Sequence, residues 1–226
     1  ADAWPLVRER LAGEAGRALR AANPFSWSLF DAYGAYPAVN DRHVTEFFPE
    51  RFPGGSYYGR TLGVDAFSIE RTIAGGDAIY ARMRAQGLGD APLDAGVFDR
   101  GTGEHSQLLD ILAAIQSDRR SLYTANLPNR GAVPGLPDDA ILELTCLATG
   151  RGLRPIQVPD LTDVLAAPLA RKIAAQRLTV AAALRGDRAL FVEALLADGC
   201  VSDRAVAGRL ADELLDAHRA HLPQFA

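Results

Sequence analysis

Residues 121–158, SLYTANLPNRGAVPGLPDDAILELTCLATGRGLRPIQV, decide the fold class. From Ser121 to Leu127 apolar and polar side chains alternate, the period of a half-buried strand. Pro128-Asn129-Arg130-Gly131 then stops the run with residues that favour turns. A second strand-like run spans Ala140 to Ala148. Thr149-Gly150-Arg151-Gly152 is suited to folding it back into a third at Leu153 to Val158, which gives an antiparallel hairpin.

Outside this segment the period is helical. Downstream, Leu165, Leu169, Ile173, Val180 and Leu184 mark one helix face, and Gly186 ends it. Asp187 is placed to cap a helix from Arg188 to about Ala197, and Ser202 to cap a last one with Val206, Leu210 and Leu214 inward. Upstream, Thr102 could cap a helix over 103–117, and the pattern from Asp65 to about Ala85 is helical but weakened by Gly75-Gly76. Residues 50–63 and 87–103 read as Gly/Pro-rich loops. The first twenty residues read as one helix, broken at Asn23-Pro24, and a short helix through Phe25, Trp27, Leu29 and Phe30 ends near Gly34. The expected class is α+β: one helix-rich domain with a small antiparallel sheet.

Composition narrows the function. The chain has 226 residues, 48% hydrophobic and 23% charged, with a formal net charge of −4. Those values fit a globular core. They lack the basic face that nucleic-acid binding requires. Apolar runs fall well short of a membrane span. Two cysteines make no disulfide framework, so a reducing, cytoplasmic setting is expected. Lys172 is the only lysine, a bias consistent with GC-rich coding.

Several features invite over-reading. Gly54-Gly55 with Gly59 lacks the strand and spacing of a dinucleotide fingerprint, and no Walker loop exists. His218 and His221 are three residues apart near the end of the last helix, where the macrodipole favours histidine without any metal. Cys146 reads as a small apolar residue within a strand, and Cys200 has no neighbouring base.

Asn40-Asp41-Arg42-His43-Val44-Thr45-Glu46 is different. It gathers two carboxylates, a guanidinium, an imidazole and an amide between aromatic flanks, with Pro37 and Pro49 restricting the backbone. Fixed polar groups beside apolar anchors suit a sugar or acid–base site. The plain alternative is a solvated loop whose charges pair locally. Gly103-Glu104-His105-Ser106 and Asn126-Leu127-Pro128-Asn129-Arg130-Gly131 are weaker candidates, one a helix start and the other a turn.

Taken in order, these segments resemble glycoside hydrolase family four, the NAD- and metal-dependent glycosidases. Tyr36-Pro37, Asn40-Asp41-Arg42-His43 and Glu46-Phe47-Phe48-Pro49 carry the likeness, with Gly103-Glu104-His105. So do Asn126 to Gly131, Leu136 to Ala140, and Asp212 to Arg219. The Asp-Arg-His-x-x-Glu-Phe-Phe-Pro string is similar to the α-glycosidase branch. The likeness covers only the family's C-terminal, substrate-binding and oligomerisation domain over residues 1–226. It implies a fold like the C-terminal domain of lactate and malate dehydrogenases, and the Rossmann domain with its NAD site is expected to be absent.

In that family NAD⁺ takes hydride from C3 of the sugar, and a divalent metal, usually Mn²⁺, polarises the ketone. A base removes the C2 proton, the aglycone is eliminated, water adds and the ketone is reduced; this is not the two-carboxylate route. Carried over, the resemblance makes Asp41 the first candidate for the base and Tyr36 the second, because the β-branch uses a tyrosine. It makes Asn40, Arg42, His43, Glu46, His105, Asn129 and Arg130 candidate substrate contacts, with no cofactor or metal ligand in this chain. A glycosidase hydrolysing α-glycosides is expected, as a dimer or tetramer, with the 226 residues alone inactive and without tightly bound NAD. The competing expectation is a non-catalytic sugar- or protein-binding module. A dehydrogenase C-terminal half is a third, against which the Asp-Arg-His string weighs.

Overall fold

The computed structural model describes residues 4–94, 107–158 and 161–225. The fold is α+β, and the chain divides into two compact parts, residues 1–69 with 167–226, and residues 70–166. Among the described residues no helix is long and apolar enough to cross a membrane.

The first part opens with α1 (Trp4–Leu11) and α2 (Glu14–Ala22), where sequence period suggested one helix. The reason is a close approach. A Cβ on Gly16 would lie 2.3 Å from the carbonyl oxygen of buried Leu11, so only glycine permits the two helices to fold onto each other here. Helix α3 (Pro24–Tyr33) starts with proline in its first turn and ends at Gly34 (φ 72°), whose N–H returns to Phe30 O at 2.9 Å. It buries Phe25, Ser26, Leu29 and Phe30.

After α3 comes the short α4 (Asp41–Val44), then three 3₁₀ turns over 45–55. Residues 50–63, expected to be loop, hold a small hairpin of β1 (Ser56–Tyr57) and β2 (Arg60–Thr61). Tyr58 (φ 45°) and Gly59 (φ 80°) make its two-residue turn, with left-handed backbone at both central positions. Phe25, Leu29, Val44, Phe52, Tyr57 and Ala66 form the core beneath. Phe25 meets Phe52 edge-on at 4.7 Å between centroids, a favoured aromatic geometry.

The C-terminal helices are α7 (Asp163–Arg185), α8 (Arg188–Asp198) and α9 (Arg204–Ala217). Asp187 caps α8 as expected, accepting from Leu190 N at 3.0 Å. The last cap is Asp203 rather than Ser202, through Val206 N at 2.8 Å. Faces differ as well. Val206 is exposed while Ala207 and Ala211 are buried against Val192, and on α7 Val180 and Leu184 are exposed while Ala175 and Ala182 are buried. Small residues let the helix axes approach, so the packed stripe carries alanine rather than the larger aliphatics.

The second part holds α5 (Ile69–Leu88, whose first residue closes the first part), α6 (Gln107–Gln116) and the sheet expected from sequence. Strands β3 (Leu122–Pro128), β4 (Ile141–Thr149) and β5 (Gly152–Pro155) pair antiparallel in that order. Leu144, Cys146 and Ala148 point inward on alternate positions of β4.

The β3–β4 connection, residues 129–140, is organised by Asn129, which is fully buried. Its side-chain amide donates to Val133 O at 3.0 Å and Leu136 O at 2.9 Å, and its Oδ1 accepts from Val133 N at 2.7 Å. Asn129→Ala would leave Leu136 O and Val133 N without these partners and remove the shorter of the two bonds to Val133 O. It should lower stability by about 3 kcal/mol in urea unfolding. Asn129→Asp should be no better, because its second oxygen would face carbonyl oxygens. A change under about 1 kcal/mol for both would contradict this role.

Candidate functional site

The polar segment singled out in the sequence is built around one buried carboxylate. Asp41 has no solvent exposure, and four donors surround it. Its Oδ1 accepts from Ser26 N at 2.8 Å and Ser26 Oγ at 2.5 Å. Its Oδ2 accepts from Phe25 N at 2.8 Å and the Tyr57 hydroxyl at 2.7 Å. Phe25 and Ser26 are the second and third residues of α3, so their N–H groups have no partner within that helix. Asn23 makes no side-chain cap for α3; its Oδ1 instead accepts from Asp41 N at 3.0 Å. Asp41 therefore caps α3 from a distant point in the chain.

Tyr36 lies at the edge of this network. It is half-buried, its ring lies 4.3 Å from that of Trp27, and it lies close enough to Ser26 and Asp41 to be influenced by both. Burial, then the negative charge of Asp41, push the Tyr36 phenol above its usual pKa, while the Ser26 contact opposes them. Burial and the bond to Asp41 likewise raise Tyr57. Ser26, Asp41 and Tyr57 are hydrogen-bonded inside, and Tyr36 lies beside them at the partly exposed edge. Ser26 and Tyr57 did not stand out in the sequence. The available signal was a helix opening at Pro24 with unfilled N–H groups, which calls for an acceptor from elsewhere.

Next to this network, α4 and the 3₁₀ turns form one wall of a cleft of about 830 Å³, large enough for a small ligand. Arg42, Thr45 and Glu46 line that wall, and Gly199, Cys200 and Ser202 line another side. The walls are tied together. Arg171 on α7 donates from Nη2 to Phe47 O at 2.6 Å and from Nη1 to the Glu50 carboxylate at 3.1 Å. Lys172 Nζ meets Asp198 Oδ1 at 2.5 Å. At Gly199 (φ 89°) a Cβ would come within 3.0 Å of Arg171 Nη1.

The sequence candidates therefore separate. Asp41 and Tyr36 sit in the buried network, Arg42 and Glu46 line the cleft, and Asn40 and His43 are exposed beside it on the same turn. Neither Asp41 oxygen is open to solvent, so in this arrangement the group organises the site instead of forming its surface. Asn129 and Arg130 lie in the second part of the chain. There Asn129 holds its own loop, and Arg130 is exposed with left-handed backbone (φ 45°). His105 and the helix start around it lie outside the described residues.

Metal and cofactor chemistry find no matching donor set among the described residues. No three His, Cys, Asp or Glu side chains cluster there. Cys146 is buried, and burial raises its pKa. Burial and the neighbouring Asp198 carboxylate push the Cys200 thiol up to about 11, away from the thiolate that binds metals.

Residues 1–201 match the model of the family 4 glycosyl hydrolase C-terminal domain. Over 95% of its length the chain is 30% identical to an alpha-galacturonidase of Bacillus subtilis and covers 49% of it. It is also 30% identical to an alpha-galactosidase of Rhizobium meliloti, over 86% of this chain and 41% of that one. Among solved structures, a putative glucosidase from Bacillus subtilis is 27% identical with a TM-score of 0.61, covering 84% of this chain and 42% of that one. A 6-phospho-alpha-glucosidase from gut microorganisms, solved with NAD and Mn²⁺, shares the fold at TM-score 0.67 and 16% identity, over 88% of this chain and 44% of that one. The chain thus spans no more than about half the length of these relatives. It belongs to the family 4 glycosyl hydrolases and matches their C-terminal domain.

Proposed function

We propose that this chain is the substrate-binding part of a glycosidase that cleaves O-glycosyl bonds of α-glycosides by NAD-dependent oxidation, elimination, addition and reduction. The observation that carries this is the 30% identity over 95% of the chain to an alpha-galacturonidase, beside the family match. NAD supplies the hydride acceptor for such a reaction and Mn²⁺ the Lewis acid. The described residues do not fit either group, so no step is assigned to them on this chain, and it is expected to turn over no glycoside alone.

What the chain contributes is binding and proton handling. Arg42 and Glu46 in the cleft wall, with Asn40 and His43 beside them, offer donors and acceptors for sugar hydroxyls. The Arg42 guanidinium is suited to the carboxylate of a hexuronic acid, which makes an α-galacturonide the first substrate to test. Tyr36, partly exposed beside this network, is the better placed of the two base candidates. Asp41 acts as a positioning residue, holding Ser26 and Tyr57 by hydrogen bonds and bearing on Tyr36 through its charge.

Two measurements test this reading. Titrating the 226-residue chain with a methyl α-galacturonide in saturation-transfer NMR should show binding that Arg42→Ala weakens about tenfold or more. Methyl α-galactoside, which lacks the carboxylate, should bind more weakly. No binding of either sugar, or turnover by this chain alone with NAD⁺ and Mn²⁺ added, would overturn the assignment.

The network makes its own prediction. In Asp41→Asn, either orientation of the amide sets an NH₂ against a backbone N–H, because each carboxylate oxygen accepts one. The variant should lose about 2 kcal/mol or more of stability. In whatever remains folded, removing the Asp41 charge should lower the Tyr36 pKa, read from the phenolate absorbance. An unchanged tyrosine titration would show that Tyr36 and Asp41 are not coupled.

A further inference from the structure

Beyond Arg42, Glu46 and Glu50, the lining of the cleft changes character. Phe52, Pro53, Leu62, Phe67 and Ile69 supply apolar surface there, and Gly54, Gly55 and Gly63 supply backbone without side chains. Hydrogen-bond donors are scarce in this part. The N–H groups of Phe52, Gly55, Leu62, Gly63 and Ile69 are all engaged by backbone carbonyls of the same segment, at 2.8 to 3.1 Å. Pro53 has no N–H to offer. A second sugar ring, with a hydroxyl on nearly every carbon, would give up water here for few partners. A flat apolar group gives up none.

One residue is held in this lining against its backbone preference. Phe67 is left-handed (φ 56°), a region that bulky side chains avoid and glycine enters freely. The surrounding loop imposes it. Asp65 Oδ1 accepts from Thr61 N at 2.5 Å, Ala66 N donates to Thr61 O at 3.0 Å, and Gly63 N donates to Ala66 O at 2.8 Å. The Phe67 ring leans on that of Tyr57, 5.5 Å away between centroids, and Tyr57 is itself buried and held by Asp41. Phe67 thus packs on the core while also lining the cleft. Strained residues of this kind gather where a ligand is clamped.

We propose that this part of the cleft is the subsite for the aglycone, that it takes a flat apolar group such as a phenyl ring, and that Phe67 is its specificity-determining residue. The proposal rests on the reading of the chain as the substrate-binding part of a glycosidase. With the sugar at Arg42 and Glu46, the group on its anomeric oxygen is what remains to occupy the apolar lining. An aryl ring packs on Phe67 in the offset or edge-on geometries that aromatic pairs favour. Ile69 is 63% exposed, and its Cδ1 lies 3.7 Å from where a Cβ on Gly63 would be. It gains cover when an aryl group sits beside it.

Phenyl and methyl α-galacturonide, compared on the 226-residue chain by saturation-transfer NMR titration, test the subsite. The phenyl glycoside should bind about tenfold more tightly, with its aromatic protons the most strongly saturated. Phe67→Ala should remove that advantage and leave the methyl glycoside within about twofold of its original affinity. Ile69→Ser alters an exposed side chain, so it keeps the fold even where Phe67→Ala does not, and it should also shrink the advantage. Equal affinity of the two glycosides would overturn the subsite, as would a phenyl advantage that survives in Ile69→Ser and in a folded Phe67→Ala. In either case binding of the methyl glycoside would leave the glycosidase reading standing. Binding of neither glycoside would overturn that reading, and this one with it.

Discussion

A buried carboxylate reaching across the chain to a helix N-terminus is the contact on which the first part of this protein depends. The first turn of α3 presents N–H groups that no residue of its own sequence neighbourhood satisfies, and Asp41 satisfies two of them. Because the same oxygens also hold the hydroxyls of Ser26 and Tyr57, one side chain ties together α3, α4 and the small β-hairpin. The aromatic cluster of Phe25, Phe52 and Tyr57 then closes around fixed backbone. Without the carboxylate these apolar rings could still collapse, but the direction in which α4 leaves the core would not be set. The cleft wall carrying Arg42 and Glu46 follows directly from that direction.

The tether from α7 has a complementary effect. Arg171 reaches the carbonyl of Phe47 and the carboxylate of Glu50, both on the turns that continue from α4. The far end of the wall is thus held by a charge-assisted contact, and the near end by Asp41. A wall fixed at both ends can present polar side chains in a constant arrangement, as selective binding of any small polar ligand requires.

The sequence was legible wherever a local rule governs. Alternation revealed β3 and β4, Gly34 and Gly186 ended helices, and Asp187 capped α8. It was less legible where a contact between distant residues decides. One continuous period hid the break between α1 and α2, because Gly16 is needed by Leu11 across the fold and not by its neighbours. Val206 and Leu210 looked like the inner face of α9, yet close packing selected Ala207 and Ala211. For the site, residues 40–46 were recognisable by their density of polar groups. The division of labour among them was not. Whether Asp41 faces solvent or the core depends on Ser26 and Tyr57, each about fifteen residues away and unremarkable in isolation. Asn129 hides its role for the same reason, since its partners form only after the loop has closed.

That loop has a further consequence. Most of the bonds that shape residues 129–140 begin and end inside it, and Arg130 N itself is held by Asp138 O at 2.9 Å. The segment behaves as a self-contained cassette whose form is determined during folding. The exposed guanidinium of Arg130 projects from a backbone that has already lost its freedom. A ligand arriving there would need to order only the arginine's own torsions, so recognition through this loop would begin with most of its conformational cost already met.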